Sequence, residues 1–163
     1  MEEQLIENWK QLFAQYKLLA EKAMAQVPDD RLFWTFYNDS NSVAMIVQHM
    51  SGNMTSRFTN FFDEDGEKSW RNRDGEFEHK VTSRDEMMHT WESGWTCFFD
   101  VLNALTPDQL DRIVTIRGEE HTVVQAMQRQ LAHYSYHTGQ IVFLSKMLAM
   151  DGWNSLSIPK KKD

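Results

Sequence analysis

Two histidines four residues apart, His133 and His137, stand in the run His-Tyr-Ser-Tyr-His-Thr-Gly-Gln-Ile over residues 133–141. On a helix such residues lie one turn apart, with Cβ atoms roughly 5–6 Å from each other. Each imidazole can then give one nitrogen to a common metal ion. The flanking residues favour a helix: Val123, Val124, Met127, Leu131, Tyr134, Ile141, Ser145 and Leu148 fall on one stripe at the helical period. His137 projects onto the flank of that stripe and His133 just beyond it, where a side chain meets a groove rather than the core. Spacing alone more often yields a chance boundary pair than a site, so a metal reading needs a third ligand. His49 holds the same kind of edge position on an earlier helix, with Asn53 one turn further on. By themselves these two read first as a boundary histidine and a surface amide.

The elements that must position these residues are four long amphipathic segments. Leu5, Ile6, Trp9, Leu12, Phe13, Tyr16, Leu19, Ala20 and Ala23 predict a first helix over 2–26, stopped by Pro28. Residues 31–39 form an aromatic-rich connection, expected to pack across the bundle end. A second helix begins near a cap among Ser40, Asn41 and Ser42, with Val43, Ile46, Val47, Met50, Met54, Phe58 and Phe61 inward. Residues 63–80 form a long charged loop. Its Lys68, Arg71 and Arg73 read as solvated, with His79 on the surface. Ser83 and Glu86 have capping-box spacing and open a third helix carrying Met88, Trp91, Trp95, Phe98, Phe99, Leu102 and Leu105. Cys97 and His89 project away from that stripe. Thr106-Pro107 starts a short helix, residues 113–122 alternate as a small β-hairpin, and the fourth helix covers 122–149. Trp153–Pro159 is an apolar tail expected to fold back on the bundle, and Lys160–Lys162 implies only solubility.

Composition sets the limits. With 163 residues, 41% hydrophobic and 25% charged, the chain reads as one domain over 1–163 with a substantial core. A formal charge of −7 argues against binding driven by nucleic-acid phosphates. One cysteine precludes an internal disulfide and suits a reducing cytoplasm. No apolar run reaches bilayer length, and the N-terminus lacks signal-peptide character.

The fold class expected is therefore all-α: a four-helix bundle with a long loop between helices two and three and a hairpin before the last helix. If helices two and four are neighbours, His49 can meet His133 and His137. With Ile46-Val-Gln-His49-Met-Ser-Gly-Asn53 in the second helix and His133-Tyr-Ser-Tyr-His137-Thr-Gly-Gln140-Ile141 in the fourth, the chain resembles the DinB-like, YfiT-like superfamily of metal-binding four-helix bundles. The similarity runs over nearly the whole length, and the hairpin and the tail resemble one uncharacterised branch. The resemblance implies His49, His133 and His137 as ligands of a divalent ion; three histidines suit zinc, nickel, copper or iron, and zinc or nickel is the first expectation. It also implies a small-thiol-dependent S-transferase acting on a small-molecule substrate; an open metal position equally allows a hydrolase. The superfamily and the six tryptophans suggest a homodimer, the lone cysteine a cytoplasmic protein, and the acidic charge and the lack of a bilayer-length apolar run no nucleic-acid or membrane partner. Asn53, Tyr136 and Gln140 are the candidates for orienting substrate or water. The alternative is a metal-binding or stress-related protein without turnover.

Overall fold

A computed structural model describes residues 1–159. Four helices form the body: α1 (Glu2–Met24), α2 (Val43–Phe58), α3 (Arg84–Ala104) and α4 (Val123–Ala149). The strands β1 (Ile113–Ile116) and β2 (Glu119–Thr122) pair antiparallel immediately before α4, with Ile113 opposite Thr122 and Ile116 opposite Glu119. Their turn is Arg117-Gly118, with φ of 56° and 76°. Positive φ at both central residues matches the twist of the flanking strands, and glycine takes its share without Cβ strain.

The helix starts are capped by side chains. Ser42 accepts from the Met45 N–H and Ser83 from the Glu86 N–H, each at 3.2 Å. Thr122 and Gln125 satisfy one another's backbone N–H groups at the start of α4. α1 lies along α4, and α2 lies along α3 while also meeting α4. Trp9, Phe13, Trp91, Trp95, Phe98 and Tyr134 are fully buried at the centre. Phe13, Phe98 and Trp95 pack edge-on around Tyr134, with ring centroids 5.6–5.9 Å from it.

α2 is enclosed on nearly every side: fourteen of its sixteen residues are buried. Its apolar face meets the other helices, and its polar face is roofed by the 59–83 segment. The roof is fastened by side chains of α2. Gln48 donates to the Glu76 and Glu78 carbonyls at 2.9 and 2.8 Å and accepts from the Val81 N–H at 2.9 Å. Ser56 donates to the Gly66 carbonyl and accepts from the Lys68 N–H, both at 3.0 Å. Asp65 accepts from the Arg117 and Gly118 N–H groups at 2.9 and 2.7 Å, which ties the roof to the hairpin.

This corrects the solvated reading of the loop. Lys68 is buried, and the Arg71 side chain is only 2% exposed. Buried cations persist because paired carboxylates and carbonyls replace their water. Arg73 alone of the three stays exposed. The 31–39 connection differs in the other direction. Leu32 is buried, but Trp34, Phe36 and Tyr37 stand on the surface at 44–69% exposure. The tail does fold back: Trp153 and Leu156 pack against the core, and Gln26 and Asn154 bond reciprocally. Lys160–Lys162 lies outside the described residues.

No helix among the described residues is long and apolar enough to cross a membrane.

Candidate metal centre

The α2–α4 contact brings His49, His133 and His137 together, with one nitrogen from each ring lying within 4.8 Å of the others. Ring centroids are 4.7 Å apart for His133–His137, 4.9 Å for His49–His137 and 5.4 Å for His49–His133. The two α4 rings turn Nε2 toward Nε2 at 3.1 Å. Two nitrogens each about 2.0–2.1 Å from one tetrahedral ion would stand roughly 3.3–3.4 Å apart, so the pair is already close to chelating distance.

The outer nitrogens of two rings are occupied by protein acceptors. His49 Nδ1 meets Glu76 Oε2 at 2.9 Å, and His137 Nδ1 meets Gln140 Oε1 at 2.8 Å. With Nδ1–H donating in both, each ring leaves Nε2 unprotonated for a ligand bond, the tautomer that metal-bound histidines are commonly fixed in. Glu76 is itself held by Arg71, whose Nε and Nη2 donate to its two oxygens at 2.7 and 2.9 Å. Burial by itself would raise the Glu76 pKa. The hydrogen bonds from His49 and Arg71, with the charge on Arg71, outweigh it and hold the carboxyl below its ordinary value. Phe77, next in the same 3-10 turn, stacks on His49 at 4.8 Å.

Burial pushes His133 down to about 3, helped by its neighbours His137 and His49 and by the Arg57 and Arg71 charges. It pushes His137 down to about 4, partly opposed by the Gln140 hydrogen bond. These imidazoles are therefore kept neutral, the form that binds metal. Three imidazole nitrogens, with no fourth ligand beside them among the described residues, are the donor set of an open rather than a closed zinc-type site.

The other residues singled out from sequence divide. Gln140 lies against His137 itself. Asn53 is buried, its Oδ1 accepting from Gln130 Nε2 at 2.9 Å and from the Tyr134 hydroxyl at 3.2 Å. Tyr136 is 53% exposed beside the triad, its ring 4.2 Å from that of His137. Cys97 is half-buried near Thr59, and burial pushes its thiol up, so it has neither the position nor the ionisation of a nucleophile here. His79, His89 and His121 lie outside the cluster.

Sequence reasoning missed Glu76 and Arg71. Their one local signal is Gly52, three residues after His49 and just before Asn53. A Cβ at Gly52 would sit 2.2 Å from Glu76 Oε1 and 2.6 Å from its Cδ. A glycine in mid-helix costs stability relative to alanine, and here it makes the space through which the carboxylate reaches the histidine.

A cleft of about 350 Å³ opens onto His49 and His133, with Asn53 and Tyr136 in its wall. The chain matches no curated protein and no solved structure. The family described as "Protein of unknown function (DUF1572)" matches residues 1–162, and the chain belongs to that family.

Proposed function

We propose that this protein is a divalent-metal-dependent enzyme of the DinB-like, YfiT-like kind, with His49, His133 and His137 holding zinc or nickel. The observation that carries the reading is the convergence of three imidazoles, His49 and His137 buried and His133 half-buried, two of them fixed at Nδ1 by Glu76 and Gln140. An ion held by three neutral nitrogens would supply a Lewis acid with an open position, able to lower the pKa of a thiol or water brought to it.

The chain's own groups do the rest. Arg71 and Glu76 keep the His49 ring in place, Gln140 does so for His137, and the cleft beside His49 and His133 admits a small molecule. Small-thiol S-transfer in the cytoplasm is the reaction favoured by the resemblance, and hydrolysis at the same site comes second. The exposed Trp34 and Phe36, with Phe143 and Met147 on α4, support a homodimer.

Elemental analysis of protein prepared without a histidine tag, with chelator competition, tests the metal. Turnover of a model electrophile with glutathione, cysteine or bacillithiol tests the reaction. Activity that falls with His133→Ala and persists with Cys97→Ser supports transfer at the histidines. Metal-free protein in excess zinc and nickel refutes the site. Full metal occupancy without thiol turnover moves the reading to hydrolysis or to metal binding alone.

A further inference from the structure

The cleft beside the histidines is built for negative charge, although the chain as a whole carries −7. Arg57, Arg71, Arg73, Arg117 and Arg129 all line it, and among the described residues no carboxylate does. The carboxylates nearby are already committed. Glu76 is held by Arg71 and His49. Glu67 is shared among Arg117 at 3.1 Å, Arg71 at 3.3 Å and Arg57 at 3.8 Å. Asp65 is turned to the hairpin N–H groups, and Asp74, 3.8 Å from Arg73, is fully exposed to water. Arg129 has no ion pair among the described residues.

Arg57 is the decisive residue. It is 3% exposed, and neither its Nε nor its Nη1 has a hydrogen-bond partner. A buried guanidinium left that far from satisfied is costly unless something anionic completes it. Asn53, in the same wall, has its carbonyl oxygen occupied by Gln130 and Tyr134, which leaves its Nδ2 hydrogens to face a ligand.

We propose that this cleft binds a small molecule through a phosphate or carboxylate group, gripped by Arg57, Arg73, Arg117 and Arg129, with its reacting end placed at His49 and His133. The placement of the reacting end rests on the metal reading above; the anion grip does not. Guanidinium forks match the planar oxygens of carboxylates and the oxygens of phosphates. The cleft's volume suits a metabolite rather than a polymer. The field of the arginines also draws anions toward a site that the rest of the surface would repel.

The test is calorimetric titration of inorganic phosphate and, separately, succinate into metal-free and zinc-loaded protein, at low and at physiological salt. At least one of these ions is expected to bind the metal-free protein with a dissociation constant of about a millimolar or tighter at low salt, and more weakly at physiological salt. Arg129→Ala, an exposed position that does not threaten the fold, should weaken it about tenfold, and Arg57→Met by at least as much. Preference for phosphate or for succinate supports the proposal and identifies the oxyanion. No binding of either ion, or binding that Arg129→Ala and Arg57→Met leave unchanged, overturns it. Binding that appears only after zinc loading also overturns it, while sparing the metal site. Binding to a protein that takes up no metal upholds the anion site and refutes the metal reading instead.

Discussion

Gly52→Ala should damage this protein through a residue that touches no ligand. In an ordinary helix interior the change stabilises by about 0.5–1 kcal/mol, because alanine loses less backbone entropy on folding. Here the new methyl would lie 2.2 Å from Glu76 Oε1. The carboxylate cannot simply swing aside, since Arg71 grips both its oxygens and His49 donates to one. Displacing it loosens buried charge-assisted hydrogen bonds worth about 1.5–3 kcal/mol each. Arg71 keeps its Glu67 contact as partial compensation. The helical gain offsets part of the loss, which leaves a net destabilisation of about 1–3 kcal/mol. Zinc affinity should fall about 10–100-fold, the usual result of freeing a metal-binding histidine from its carboxylate. Denaturant unfolding of the metal-free protein and chelator competition for zinc measure the two effects. The decisive control is Glu76→Ala. In that background the obstruction is gone, and Gly52→Ala should revert to stabilising by about 0.5–1 kcal/mol. If Gly52→Ala stabilises the otherwise native protein and leaves zinc affinity unchanged, Glu76 does not act through His49 as argued.

Three further outcomes are expected. Chelation, or His137→Ala, should remove most metal affinity and leave the far-UV circular dichroism helical, because the Trp9, Trp91, Trp95 and Phe98 core stands without the ion; loss of the helical signal would make the site structural. His133 and His137 have folded pKa values of about 3 and 4 against an ordinary 6.5. The unfolded chain takes up protons first, so their contribution to stability is intact above pH 6.5 and declines as pH falls from there toward 3–4. Imidazole NMR titration of metal-free protein, with unfolding midpoints across that range, checks this, and titration of both rings near 6.5 contradicts it. Light scattering should report a dimer at micromolar concentration, with a monomer rejecting the apolar face around Trp34 and Phe143 as a self-interface.

The helices were legible in the sequence because each carries an apolar stripe with a stop or cap at its ends. Val43, Ile46, Val47, Met50, Met54, Phe58 and Phe61 recur at the helical period, and all are buried. The hairpin was legible from its alternation and its glycine. The three histidines were visible as candidates, but their convergence depended on helix adjacency, which periodicity does not encode. The roof over α2 was illegible. A segment without a period gives no clue that Lys68 and Arg71 are inside, since their burial depends on partners such as Glu76 and on the polar face of α2 beneath. Trp34, Phe36 and Tyr37 failed for the opposite reason: composition argued for packing, and the connection is too short to turn all of its rings inward.

The roof has a consequence for how such a protein changes over time. The nitrogens of the triad come from helices whose other faces build the core, so those positions are hard to alter without loss of folding. Glu76, Arg71, Arg73 and Arg117 come instead from a loop and a hairpin fastened to the bundle at a few points, such as Gln48, Ser56 and Asp65. Loops accept substitutions and insertions that cores reject. Descent with modification could therefore rewrite what enters the cleft, residue by residue, while the imidazoles stay where the bundle puts them.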